Sequence, residues 1–240
     1  MELAVHLRDP EQIGALESLP RHWPGLDEAG AVKAHHGTGW LDRTSRRLYV
    51  GDEFCVHRLP RLDELHALVQ LAEGKAWGVT FLTPPLTDEG IERCSPLFDY
   101  LQQRVIQAEI VVNDWGVLLF LQERYPGFDL SVGRLLNKGF KDPRLLDPDQ
   151  ASRFAAATGE LLKHCTFDDV EFQAKMRDLQ VRRLERDLLP FGTLDLENLE
   201  GLATSVYFPF GYVTTGRVCW IASFGQSAGK KFALSNGCSR

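Results

Sequence analysis

No apolar run in the chain approaches the ~18 residues that a membrane-spanning helix needs. The first ten residues, Met1-Glu-Leu-Ala-Val-His-Leu-Arg-Asp-Pro10, hold neither a basic leader nor a long apolar stretch, so no secretory signal is expected there. Positive charge is also short. Lysine plus arginine number 27 against 33 aspartate plus glutamate, a formal net charge of −6. That balance argues against bulk nucleic-acid binding, although a local basic groove stays open. Five cysteines are an odd set in a chain of 240 residues, too long to need disulfide staples. In a reducing compartment they read as free thiols, or some of them as metal ligands. These absences point to a cytoplasmic protein.

Most common signatures of chemistry are missing as well. G-x-G-x-x-G, H-E-x-x-H and C-x-x-C do not occur; G-x-S-x-G occurs once, at Gly225-Gln-Ser-Ala-Gly229, and sequence alone nominates no nucleophile–base pair. The nearest thing to a phosphate loop is Gly225-Gln-Ser-Ala-Gly229-Lys230-Lys231. A P-loop needs four residues between its glycines and a hydroxyl after the lysine; here three intervene and Lys231 replaces the hydroxyl, so a polar loop is expected. The seven histidines lack paired helical ligand spacing, and His35-His36 reads as a solvated pair. The acidic run Asp168-Asp169-Val-Glu171 suits a helix start, where carboxylates complement the dipole.

What is present is an ordinary globular composition, 44% hydrophobic and 25% charged, read as one domain over residues 1–240. Two methionines against fourteen phenylalanines point to a well-specified aromatic core. Short apolar runs alternate with amphipathic stretches. Strands are expected at Leu3–His6, Arg47–Val50, Trp77–Leu82, Ile110–Val112, Phe128–Val132, Val181–Glu185 and Thr204–Phe208. Helices are expected around Leu62–Ala72 with Gly74 as its C-cap, from Pro96 to Val105, around Val117–Leu121 and over 149–163. Such strand–helix units build a parallel sheet. The length suits a TIM-like (β/α) barrel, incomplete or irregular, with an open doubly wound sheet as the runner-up. The inward residues are expected from Leu48–Val50, Val79–Leu82, Ile110–Val112, Leu130–Val132 and Leu184.

In such barrels chemistry gathers where strands end. Asn113, Asp114, Arg134, Glu185 and Arg217 each follow or end a strand and are expected near one rim. The competing reading has Asn113-Asp114 capping the next helix and Arg134 pairing with a surface carboxylate. Cys55 and Cys219 also follow strands, and Cys238 lies across a polar loop able to fold back toward Cys219. Cys94, near a helix start, and Cys165, at a helix end, read as buried or incidental thiols.

Several segments carry a resemblance. Tyr49-Val-Gly-Asp-Glu-x-Cys55-x-x-Arg58, Ile110-Val-Val-Asn113-Asp114-x-Gly116 and Arg183-Leu-Glu185 resemble the collagenase-like peptidase family U32, as do Phe208-Pro-Phe-Gly-Tyr212, Gly216-Arg-x-Cys219 and Gly237-Cys238. They look closest to its smaller members that work in oxygen-independent ubiquinone biosynthesis. The resemblance runs from about Val50 to the end. It implies a TIM-barrel-like domain and a [4Fe–4S] cluster held by Cys55, Cys219, Cys238 and a further cysteine four residues later. That fourth ligand falls beyond Arg240, so the chain reads as trimmed at its end and, as it stands, as holding a degraded cluster, a zinc ion or no metal at all. Zinc is the competing occupant.

Related proteins hydroxylate ubiquinone precursors or RNA bases. The resemblance therefore implies oxygen-independent hydroxylation of a small aromatic ring, a ubiquinone precursor before an RNA base, with a homologous U32-type subunit as partner. The alternatives are a collagenase-like peptidase and a noncatalytic partner subunit or scaffold.

Overall fold

A computed structural model describes residues 3–7, 22–26, 32–36, 45–105, 107–142, 147, 149, 152–187, 201–207, 211–212, 215–216, 218–231 and 233. The chain divides into two compact units, residues 1–129 and 130–240. Seven parallel strands alternate with helices, which makes the protein α/β.

The first unit begins with β1 (Leu3–Leu7), an antiparallel hairpin of β2 (His22–Leu26) and β3 (Val32–His36), and β4 (Ser45–Gly51). It continues through α1 (Leu62–Gly74), β5 (Gly78–Leu82), α2 (Asp88–Arg104), β6 (Glu109–Val112) and α3 (Trp115–Arg124). Its main strands pair in parallel in the order β1-β4-β5-β6. The second unit takes in β7 (Asp129–Val132), α4 (Ala156–Leu161), α5 (Val170–Asp178), β8 (Val181–Asp187), β9 (Ala203–Tyr207) and α6 (Trp220–Ser223). Its strands pair in parallel in the order β7-β8-β9. In both units the spatial order follows the chain order. A doubly wound sheet reverses that order at a switch point, and neither unit contains such a reversal.

The apolar strand residues divide between two faces, because side chains alternate along a strand. Phe81 packs edge-on against Phe98 of α2, with ring centroids 6.1 Å apart. Register places Val50 and Ile110 beside Phe81, and Leu48 beside Val79, on that helix-facing side. Leu65, Leu68, Val69 and Ala72 of α1 and Leu97, Phe98 and Leu101 of α2 are buried at helical spacing. Each of these leucine, valine and phenylalanine side chains contributes about 1.5–3 kcal/mol by leaving water. Tyr125 and Phe128 extend this aromatic core around Phe98. The expected inward set is therefore split.

Tyr49, Thr80, Leu82 and Val111 lie on the opposite face of the sheet. That face also carries charge. Arg47 Nη1 lies 3.0 Å from Glu109 Oε2, and the same guanidinium donates to Thr80 Oγ1 at 3.2 Å.

Helix boundaries follow capping more closely than proline. Pro96 sits inside α2 rather than in its first turn. The helix starts eight residues earlier, where the Thr87 side chain accepts from the Gly90 amide at 3.2 Å and Asp88-Glu89 fill the first turn. Cys94 consequently lies within the helix and not near its start. At the end of α1, Gly74 is still helical, and Ala76 takes the left-handed conformation at φ +54°. Of the helix expected over 149–163, the described residues show Ala156–Leu161 as a helix, while 152–155 are not helical, and Phe154 and Leu161 are exposed. Among the described residues no helix is long and apolar enough to cross a membrane.

Candidate functional site

In the first unit the strand ends hold a tight, buried loop. Gly51 closes β4 at φ +106°, and a Cβ built on it would lie 2.4 Å from the Leu82 carbonyl oxygen of the neighbouring strand. Only glycine fits there. A ring nitrogen of His6, Nε2, lies 2.9 Å from the Gly51 carbonyl oxygen. Asp52 follows, only 2% exposed, and its Oδ1 accepts from the amides of Phe54 at 2.8 Å and Cys55 at 2.9 Å. Arg58 Nε approaches Asp52 Oδ2 at 3.5 Å, and the Arg58 amide donates to the Cys55 carbonyl at 3.1 Å. Cys55 is thus fixed by its backbone just beyond β4, with a half-buried, free thiol.

Asn113 and Asp114 sit at the same edge of that sheet, past β6. The Asn113 amide donates to the Thr83 carbonyl at 2.9 Å, itself just past β5. Asp114 caps α3: its Oδ1 accepts from Gly116 and Val117, and its Oδ2 from the Leu86 amide. These contacts are those of loop-shaping residues.

In the second unit the strand ends gather a buried charged group. Register places Glu185 and Asp187 on one face of β8, with Tyr207 of β9 directly beside Asp187. Glu185 is fully buried and accepts from the Tyr207 hydroxyl at 2.5 Å. The Arg134 guanidinium lies 3.8 Å over the Tyr207 ring and pairs with Asp187 through Nη1 at 2.5 Å. Lys141 takes the other Asp187 oxygen, donates to the Tyr212 carbonyl at 3.0 Å and lies 3.5 Å over the Tyr212 ring. The Tyr212 hydroxyl donates to the Arg134 carbonyl at 2.7 Å. Arg134 and Glu185 are therefore brought together through Tyr207. The four charges balance in sign, so the group offers donors and acceptors rather than a net field.

Asp187, Tyr207, Tyr212 and Lys141 are additions to the sequence-based set. Asp187 carried a signal: it lies two residues past Glu185, on the same face if β8 runs two residues further than its apolar pattern. Lys141 carried none. Arg217 and Cys238 lie outside the described residues.

The described thiols differ in burial. Cys94 is buried within α2, and burial pushes its pKa up to about 11 against the opposing charge of Arg93. Cys165 precedes the short turn Thr166–Asp168 rather than ending a helix. Burial first, then the hydrogen bond and charge of Asp168, raise its pKa. Cys55 is half-buried and Cys219 exposed at the start of α6, where its sulfur accepts from the Ala222 amide at 3.4 Å. As soft sulfur donors, Cys55 and Cys219 are of the chemical type that a thiolate-ligated centre takes, and Cys165 is half-buried like Cys55. Among the described residues no three histidine, cysteine or carboxylate side chains are grouped to hold a metal. The segment Gly225–Lys231 is an exposed turn after α6, with Gly225 at φ +83°. No family model, no curated protein and no solved structure matches the chain.

Proposed function

We propose that this chain is an iron–sulfur protein on an incomplete TIM-like (β/α) barrel, acting in the oxygen-independent hydroxylation of an aromatic ring. A ubiquinone precursor is the preferred substrate, ahead of an RNA base, and a homologous U32-type subunit is the partner. The reading starts from the U32 resemblance. The observation that supports it is the placing of two ligands the resemblance assigns: Cys219 is the exposed thiol and Cys55 is half-buried just past a strand end, whereas Cys94 is buried within a helix, where burial raises its pKa. Sequential parallel strand order in each unit supports the barrel.

Cys55, Cys219 and Cys238 would hold a [4Fe–4S] cluster with a fourth thiolate beyond Arg240. Such a cluster supplies one-electron chemistry when bound. The chain's own residues would do the rest. The Asp52 loop presents the Cys55 sulfur, and the Glu185–Tyr207 pair offers a hydroxyl and a carboxylate for orienting a polar ring substituent. Arg134 packs on Tyr207 and keeps that pair in place.

The reading is tested on anaerobically purified protein extended past Arg240. Iron and acid-labile sulfide in near-equal amounts, with hydroxylation of an aromatic precursor only when the partner is added, are expected. Stoichiometric zinc without sulfide would replace the cluster by a structural metal. Cleavage of denatured collagen by the chain alone would favour the peptidase reading instead.

A further inference from the structure

We propose that the segment from α6 to Lys231 docks the protein on the surface of an anionic phospholipid bilayer. Trp220, Ile221 and Phe224 form the apolar wedge, and Lys230 and Lys231 lie among the lipid phosphates. The inference goes beyond the hydroxylation reading and does not depend on a metal. Trp220 is 76% exposed, Ile221 55% and Phe224 91%. Positions 220, 221 and 224 share one side of a helical turn, and the same turn buries Ala222 and Ser223. A surface helix normally turns its large apolar side chains toward the core. Here the two small ones face inward and the three large ones outward, which leaves an apolar patch that marks a docking surface. The wedge is preformed: the Ser223 amide donates to the Cys219 carbonyl at 3.0 Å, Phe224 to Ile221 at 3.2 Å and Gln226 to Ser223 at 3.2 Å.

Charge identifies the medium that covers it. From Gly201 to Arg240 the sequence contains no aspartate or glutamate and four cations, Arg217, Lys230, Lys231 and Arg240, although the whole chain carries a net charge of −6. Lys230 and Lys231 are exposed, on a turn where the Lys230 amide donates to the Ser227 carbonyl at 2.8 Å. An anionic leaflet attracts lysines placed beside it, and the acid-free segment meets no repulsion there. Aromatic and aliphatic side chains flanked by lysines are the composition of interfacial segments. A single-stranded nucleic acid would also take cations, but it stacks on planar rings set along a cationic groove. Ile221 offers no ring, and the apolar trio precedes the lysine pair as a separate block. A partner protein's apolar groove would use the trio but gives the acid-free flank no part.

The test is flotation of the full chain with vesicles of phosphatidylcholine alone, and of phosphatidylcholine and phosphatidylglycerol in equal parts. Wild type should bind the anionic vesicles at least about tenfold more tightly than the neutral ones, and lose that margin at high salt. Ile221→Ser combined with Phe224→Ser should weaken binding to anionic vesicles at least about tenfold, whereas Phe224→Leu should keep it. Lys230→Gln combined with Lys231→Gln should bring the affinity for anionic vesicles down toward that for neutral ones. All four positions are exposed, so circular dichroism and urea midpoints should match wild type and separate lost docking from lost folding. No flotation of wild type with anionic vesicles, or flotation that survives both double substitutions, overturns the proposal. Binding of a single-stranded RNA oligonucleotide without vesicle binding assigns the patch to nucleic acid and overturns it too. So does self-association, without vesicle binding, that Ile221→Ser and Phe224→Ser abolish, because a second copy is then the occupant.

Discussion

A thiol buried among apolar side chains keeps its proton, because the charged form loses its hydration there. Cys94 is such a thiol. With a pKa of about 11, only about one molecule in a thousand carries the thiolate at pH 8. Alkylation by iodoacetamide, followed site by site by mass spectrometry, should modify Cys219 first and Cys94 last. Early modification of Cys94 in folded protein would remove the distinction between ligand and bystander thiols. Asp168 titrates in the opposite sense. Burial works against its charge, yet the hydrogen bond from the Cys165 amide and the Arg186 guanidinium outweigh it and lower its pKa. A carboxyl lowered in the folded state adds stability that is full above its unfolded value, near ~4, and is lost as pH falls through the folded value. Asp168→Asn leaves the buried Arg186 without its counter-charge and should cost about 2 kcal/mol at pH 7. Urea denaturation between pH 2 and 7 should show that difference shrinking toward the acid end. A constant difference would contradict the assignment.

At the scale of elements, the seven parallel strands were legible as short runs of three to six residues whose length and flanking turn signals favour strand over helix. The β2–β3 hairpin was not legible. Its segments, His22-Trp-Pro-Gly-Leu26 and Val32-Lys-Ala-His-His36, lack a clean alternation. The start of α2 was misread because Pro96 favours a first turn in isolation, whereas the Thr87 cap decides the outcome. The end of α1 shows the same competition. Gly74 looks like the terminator, but the left-handed residue is Ala76. Ala76→Gly should therefore stabilise the protein, by about 0.5–1 kcal/mol. Gly51→Ala should do the reverse. Positive φ and a close carbonyl leave no room for a methyl group, so a loss of about 2 kcal/mol or more is expected. Paired urea denaturation curves check both signs. Loop clamps are harder to read than strands: Asp52 and Arg58 stand in the motif around Cys55, yet their contact with its backbone emerges only in three dimensions.

For the whole molecule, the sequence pattern reaches the α/β class and the parallel order, and stops short of the groups built at the strand ends. Glu185 and Arg134 were visible as polar residues at ends of strands. Their union through Tyr207, and the balancing of Arg134 and Lys141 by Asp187, depend on register and loop geometry that no spacing rule encodes. Buried charge of this kind costs stability unless fully paired, and its place at the C-terminal ends of three parallel strands is where ligands bind in α/β proteins. Under the proposed reading, Tyr207→Phe removes one hydroxyl beneath Arg134 and should leave iron content unchanged while weakening turnover of an aromatic substrate about tenfold. The most direct measurement of the central claim is the iron bound per chain after anaerobic purification, in a set of single serine variants extended past Arg240. Serine at Cys55, Cys219 or Cys238 should each lower bound iron and its visible absorption, whereas serine at Cys94 or Cys165 should leave both unchanged. Equal iron in all five variants, or loss only with Cys94 or Cys165, would contradict the account.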